Sequence, residues 1–189
     1  MPEFEYQKPE EPSYCDRLIK FEEKGVDRTN PRSVAEYTLL VNHSIAEGIS
    51  DGSIDINKDN DAVELAWRNI AVLSDRIESN DSAIEGISQG QRDKIKSVDL
   101  KTGSLVKACG LEVNSLGGAH SLQGAINSGN RLPAEASGMV SLLLKESTDT
   151  FVEITSDPRI KIDKSLVAYF SGNTAGAAGW ASSKLKLNK

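Results

Sequence analysis

The chain has 189 residues, a formal net charge of −6, and a composition that is 38% hydrophobic and 5% aromatic. This length suffices for one medium domain or for two or three small modules. The acidic balance argues against non-specific nucleic-acid binding, which needs a basic face, and there is no run of about 18 apolar residues that would indicate membrane insertion. The low apolar share favours an elongated or oligomeric protein, which buries part of its surface against copies of itself.

Few residues in the sequence could carry chemistry. The two cysteines, Cys15 and Cys109, are far apart and do not indicate a disulfide framework, so they fit a protein made in a reducing cytoplasm. Neither His43 nor His120 has a second histidine or a cysteine at metal-ligand spacing. The glycine-rich stretch SGNTAGAAG lacks the lysine of a phosphate-binding loop. We therefore expect no catalytic residue, no metal, no cofactor and no enzyme activity.

Segment 1–29 predicts a tail followed by a short anchoring helix. Prolines in residues 1–12 forbid a regular helix, so this tail should be extended. Ser13 is a capping residue for a helix over residues 14–24, and Gly25 supplies the residue type that ends helices.

Segment 30–60 predicts a second helix and a loop. Asn30 is a capping residue and Pro31 fits the first helical position, so the helix should begin there. The loop SDGSIDINKDND alternates acidic residues as a calcium loop does, but Asn60 replaces the glycine of the sharp turn. A plainer interpretation is that Asp61 caps the next helix, with Glu64 completing a capping box.

Segment 61–98 carries apolar residues at heptad positions a and d, which predicts a long amphipathic helix. Its part IESNDSAIEGI resembles the trimeric stalks of adhesins and phage fibres, in which an asparagine at d follows an aliphatic residue at a. The resemblance implies a coiled-coil stalk and a homotrimer, while a single helix of a globular bundle is the alternative interpretation. The seam of the stalk would consist of Val63, Ile70, Leu73, Ile77, Asn80, Ile84 and Ile87.

Two stretches of the chain read almost alike, SIAEGISDG at residues 44–52 and SAIEGISQG at residues 82–90. Aligning them gives the two regions the same helical register, with an aliphatic residue at a, an asparagine at the next d, and then apolar residues at a and d. The likeness therefore predicts two helical segments of similar design, separated by a loop.

Segment 99–189 changes in composition and becomes rich in glycine, serine and asparagine. From Gly138 onward the runs GMVSLLLKE, DTFVEITS, RIKID and SLVAYFSG are β-branched or alternating and have the length of strands. We therefore predict an α+β fold, with N-terminal helices, a coiled-coil stalk helix and a small C-terminal β-rich knob.

The same segment resembles the pyocin-knob type of domain at the tips of phage tail fibres and tailocin fibres. The resemblance implies a β-rich module whose surface contacts a host, with Trp180 and Tyr169 as the candidate contact residues. The alternative is that Trp180 and Phe170 form the small core of that module. The matching pieces, in chain order, are Asn130, Pro133, Gly138 and the stretches 140–144, 151–155, 169–170 and 176–180.

Together these patterns predict a fibre or spike subunit of a tailed phage or phage-like particle, located in the virion and made in the host cytoplasm. The N-terminal region would bind other virion proteins, the chain would form a homotrimer, and the C-terminal domain would contact a glycan or protein of the host surface. The alternative is an α-helical assembly or adaptor protein with no receptor-binding role. Packing of residues 63–98 against residues 31–50 of the same chain would favour that alternative.

Overall fold

Residues 13–187, the part of the chain that the computed structural model describes, form seven α-helices joined by short connections. The predicted extended tail, residues 1–12, lies outside the described residues. The two strands β1 (Ile84–Glu85) and β2 (Lys161–Ile162) form a small antiparallel ribbon. The helices are α1 (Tyr14–Lys24), α2 (Pro31–Asp51), α3 (Asn60–Glu78), α4 (Gln89–Ala108), α5 (Gly118–Asn127), α6 (Ser137–Thr155) and α7 (Lys164–Leu187), with a short helical turn at Ala134–Ala136 before α6.

The predicted starts of the first two helices are confirmed. The Ser13 hydroxyl accepts a hydrogen bond from the backbone N–H of Asp16 at 3.1 Å, and α1 ends at Gly25, whose φ is 87°. The Asn30 side chain caps α2 by accepting from the N–H of Arg32 at 2.9 Å, and Pro31 occupies the first turn. These signals are local in sequence, which is why they can be interpreted without knowledge of the tertiary fold.

The core is built around α2, which packs against α1, α6 and α7, while α3 packs against α5 and α7. One continuous cluster of buried apolar side chains draws on every helix. Among its largest fully buried members are Trp67, Phe151 and Phe170. The rings of Phe151 and Phe170 meet edge to face with centroids 5.0 Å apart, so α6 and α7 are fixed by aromatic packing.

The predicted α+β fold class is wrong, because the described residues form an all-α bundle without a C-terminal β knob. The runs GMVSLLLKE and DTFVEITS belong to the single helix α6, and SLVAYFSG opens α7. In α6 the buried residues recur every three or four positions, as they do in helices. β-Branched residues favour strands only weakly, and packing of this apolar stripe against α2 overrides that preference.

The predicted coiled-coil stalk is also wrong. Helix α3 ends at Glu78, and Asn80 adopts a left-handed conformation with φ of 53°. Asp81 then organises a turn, because its carboxylate accepts the N–H of Ala83 at 2.8 Å. Gly86 has a φ of 93°, and a Cβ there would lie 2.6 Å from the carbonyl oxygen of Arg159, so no helix continues through this position.

The predicted seam residues therefore divide between the core and a connection. Val63, Ile70, Leu73 and Ile77 are buried on α3 within their own chain, so they cannot pair with another copy. Asn80 is exposed in the turn, Ile84 lies in β1, and Ile87 lies between β1 and α4.

The two similar stretches have different structures. Residues 44–52 form the last turns of α2 and its capping glycine, whereas residues 82–90 span a turn, β1 and the start of α4. The second copy ends in a capping box, in which the Ser88 hydroxyl accepts from the N–H of Gln91 and the Gln91 side chain accepts from the N–H of Ser88. This box starts a new helix where the first copy ends one.

Candidate interaction surface

In the acidic loop before α3, the carboxylates accept hydrogen bonds from backbone N–H groups of the same loop. Asp55 accepts from the N–H groups of Asn57 and Lys58 at 2.8 and 3.0 Å, and Asp59 accepts from the N–H of Asp55. These hydrogen bonds hold the pKa of Asp55 below its usual value. No group of three or more potential metal ligands occurs in residues 13–187.

The predicted capping role of Asp61 is wrong. Helix α3 begins two residues earlier than a cap at Asp61 would require, at Asn60, with Asp59 at the capping position. Glu64 is buried and faces the bundle, where it forms a bidentate pair with Arg68 and accepts from Gln123 Nε2. A capping box would have required Glu64 to fold back onto the first turn of α3.

Neither histidine belongs to a catalytic arrangement in the described residues. His43 Nε2 lies 2.8 Å from Asp149 Oδ1, and its ring contacts the Tyr14 ring at a tilt of 37° with centroids 4.7 Å apart. His120 approaches only the side chain of Asn114. The hydroxyl of Ser121, the residue after His120, donates to the carbonyl of Gly117 at 2.7 Å, so it is not available for attack on a substrate.

A layer of polar side chains crosses the bundle interior and is almost fully hydrogen-bonded. Asn69 Nδ2 donates to the carbonyl of Phe170 and to Thr174 Oγ1, each at 3.0 Å, and Asn173 Nδ2 donates to Asn69 Oδ1. Thr38 Oγ1 meets Thr174 Oγ1 at 2.9 Å. Satisfied polar groups of this kind fix which helices pair, and they offer no free atom to a ligand. Sequence reasoning missed the layer because each residue alone resembles a surface residue.

The two predicted contact residues lie on α7 but not in one site. Tyr169 is 43% exposed and lines an open groove of about 760 Å³ beside the β ribbon. The charged groups of this groove partly neutralise each other, as the ion pair between Arg76 and Asp81 shows. Trp180 is partly buried against the core, and the Lys184 ammonium lies 5.8 Å from its ring centroid. Their role as contact residues stays a prediction.

A second groove, of about 640 Å³, lies between α4 and α6, and we call it the apolar groove. Its base includes Leu105 and Leu143, which are buried, and its rim includes Met139 and Leu142, which are exposed. Cys109 also lines it, and burial raises the pKa of the Cys109 thiol, which makes this cysteine a poor nucleophile at neutral pH. The full lining is Lys101, Ser104, Leu105, Ala108, Cys109, Pro133, Glu135, Ala136, Met139, Leu142, Leu143 and Glu146.

Ion pairs close one half of the α4–α6 contact and leave the other half open. Lys94 pairs with Glu153 at 2.8 Å, and seven residues further along α4, Lys101 pairs with Glu146, seven residues earlier in α6. The two helices therefore run antiparallel. The next step of seven residues brings Ala108 opposite Met139, and neither side chain can form an ion pair. The groove opens at this position.

Exposed apolar side chains concentrate on this face. Five large hydrophobic residues are exposed among residues 13–185, the residues whose burial is described. Met139 and Leu142, at 48% and 57% exposure, line the apolar groove, and Leu100, at 63%, lies one turn before the lining residue Ser104 on α4. The other two, Leu116 and Tyr169, lie elsewhere. A cluster of exposed apolar residues on a folded surface is typical of an interaction site.

The sequence indicates the exposed position of Leu142 at the apolar groove, but only when residues 138–146 are assigned to a helix. Read as a strand, GMVSLLLKE gives Leu142 no special position. Read as a helix, its buried stripe passes through Val140, Leu143 and Leu144, and Leu142 is an apolar residue off that stripe.

Comparison with known proteins identifies no relative. No family model matches the chain, and neither a curated protein nor a solved structure matches it significantly. Within the described residues no helix is both long enough and apolar enough to cross a membrane.

Proposed function

We propose that the protein is a non-catalytic helical assembly or adaptor protein, which holds another protein against the apolar groove. The observation that carries the proposal is that two of the five exposed large hydrophobic residues, Met139 and Leu142, line this groove, while a third, Leu100, lies one turn before the lining residue Ser104. Their exposure costs solvation free energy that a bound partner would recover, at roughly 25 cal/mol per Å² of apolar surface covered.

The packing of α3 within its own chain supports the same proposal. Asn42 of α2 donates a hydrogen bond to the carbonyl of Ala66 in α3 at 3.1 Å, so α2 and α3 are neighbours in one bundle. This is the arrangement that favours an adaptor over a fibre. Fibre function, virion location and host-surface contact stay predictions. They depended on a stalk and a β knob, and the predictions of these two structural features are wrong.

A display selection tests the proposal. A library of random peptides would be selected for binding to the full chain, with a Leu142→Lys variant as the counter-target. Leu142 is exposed, so this variant should keep its stability within about 0.5 kcal/mol. We expect enriched peptides that bind the wild type, lose binding to Leu142→Lys and retain it to Leu116→Lys. The second variant is a matched control, because Leu116 is an exposed leucine outside the groove. Enrichment of no groove-dependent peptide would overturn the proposed function.

A further inference from the structure

We propose that the occupant of the apolar groove is an amphipathic helix of a partner protein, with a basic residue beside its apolar stripe. This inference rests on the proposed function and specifies the class of partner. It follows from the shape of the groove, from the state of its backbone groups and from its unpaired charge.

The walls of the groove are two antiparallel helices, which present side chains in matching stripes. Lys101, Ser104, Leu105 and Ala108 form the stripe on α4, at helical spacing, and Met139, Leu142, Leu143 and Glu146 form the stripe on α6. Each stripe spans eight residues, which is a rise of about 10 Å over seven steps of 1.5 Å. Two turns of a third helix match this length and would place apolar side chains at positions i, i+3 or i+4, and i+7 over the groove.

The backbone of the walls favours a helix over an extended peptide. Helices α4 and α6 use their interior backbone N–H and C=O groups internally, and the carbonyls of Leu105, Val106 and Lys107 near the end of α4 accept from the N–H groups of residues that follow the helix, so these walls offer no edge to which a strand could hydrogen-bond. An extended peptide would lose its hydration without gaining main-chain partners. A helix brings its backbone already satisfied and needs only side-chain burial.

The charged residues around the groove determine which charge the partner helix should carry beside its apolar stripe. Lys101 and Glu146 neutralise each other across the closed end, whereas the side chain of Glu135, at the open end, makes no ion pair or hydrogen bond in the described residues. A lysine or arginine on the partner would meet Glu135. A second copy of this chain is less suitable, because each copy has a formal net charge of −6.

Three synthetic peptides of about four helical turns, each carrying a fluorescent label, test the inference against the full chain by fluorescence polarisation. The first has leucines at positions i, i+3, i+7 and i+10 with lysines beside the stripe. The second has glutamates in place of those lysines. The third has the composition of the first in an order that gives no apolar stripe.

We expect the lysine peptide to bind and the unstriped peptide not to bind. The glutamate peptide should bind about two- to fivefold more weakly than the lysine peptide, as expected for one exposed ion pair. Leu142→Lys should abolish binding, and Leu116→Lys should leave it unchanged. Glu135→Lys should reverse the preference between the lysine and glutamate peptides, a change that loss of folding would not produce.

Three results would overturn the inference. The first is equal groove-dependent binding of the striped and unstriped peptides, and the second is no binding of either striped peptide. The third is a wild-type dimer in light scattering that Leu142→Lys dissociates, because a second copy of the chain would then be the occupant. The proposed function fails separately, when the display selection enriches no groove-dependent peptide. Groove-dependent peptides without an amphipathic helical pattern would keep the function and remove this inference.

Discussion

At Gly118 the helices α4 and α5 come into backbone contact. A Cβ at this position would lie 2.2 Å from both the carbonyl oxygen of Asp99 and the N–H nitrogen of Gly103. The same contact caps α5, because the Asp99 carboxylate accepts from the N–H groups of Gly118 and Ala119 at 3.1 and 2.9 Å. A glycine next to a long-range cap cannot be recognised from sequence, since its two partners lie about 15 to 20 positions away on another helix.

Replacing Gly118 with alanine should destabilise the protein by about 3 kcal/mol or more, since the added methyl group meets backbone atoms that cannot turn aside. Gly124 of the same helix is the matched control, because a Cβ there meets nothing within 4 Å. Gly124→Ala should be neutral or stabilise by up to about 1 kcal/mol through helix propensity. Urea denaturation of both variants measures the difference, and equal effects would contradict the close contact.

Tyr37 gives a prediction about alkaline pH. Burial, with a smaller contribution from Glu22 and opposed by Arg28, raises the pKa of Tyr37 from 10.0 to about 12. Between pH 10 and about pH 12 the folded state keeps the Tyr37 proton that the unfolded chain has lost. The contribution of the Tyr37 hydroxyl to the free energy of unfolding is therefore complete below pH 10 and falls as the pH rises toward 12.

Tyr37→Phe removes this ionisation while keeping the ring that packs edge to face on Phe21. The difference in unfolding free energy between wild type and variant should therefore shift in favour of the variant as the pH rises through this window. Chemical denaturation at a series of pH values measures the shift. A difference that stays constant with pH would contradict the raised pKa of Tyr37.

At the scale of elements, helix starts and ends set by nearby residues were predictable from the sequence, whereas features that depend on tertiary packing were not. Ser13 and Asn30 were identified from sequence as caps, because a cap acts over three residues. Ser88 and Gln91 have the same spacing and could have been found, but the heptad pattern concealed them. The strands predicted in α6 and α7 failed because β-branched residues carry only a weak preference, which packing reverses. The apolar groove was not predictable, since it depends on how α4 lies against α6.

The capping box of α4 predicts a measurable asymmetry between two serines on one helix. Ser88→Ala removes the hydroxyl that accepts from the N–H of Gln91, and it should cost about 1 kcal/mol of stability. Ser104→Ala, at an exposed interior position of the same helix, should change stability by less than about 0.5 kcal/mol. Thermal unfolding followed by circular dichroism compares them. Equal effects of the two substitutions would contradict the role of Ser88 in ending the connection and starting α4.

At the scale of the whole molecule, α2 unites the bundle through both apolar and polar contacts. Val41 and Ile45 are completely buried among the other helices. Asn42 donates to the carbonyl of Ala66 and to Thr148 Oγ1, each at 3.1 Å, and so joins α2 to α3 and to α6. The five helices α3 to α7, which would have made up the predicted stalk and knob, thus complete their core with a helix that precedes them.

A fragment of residues 60–189, the part that a stalk and knob would have formed, should therefore not fold alone. It lacks α1 and α2, which exposes the apolar faces of α6 and α7 and removes the hydrogen bonds that Asn42 makes to Thr148 and Thr38 makes to Thr174. We expect the full chain to unfold in one cooperative transition and the fragment to show none, with an expanded radius and binding of a hydrophobic dye. Denaturation and light scattering distinguish the two. A fragment that unfolds cooperatively with the mass of a trimer would show that α3 assembles independently of α2, and it would contradict the single core described here.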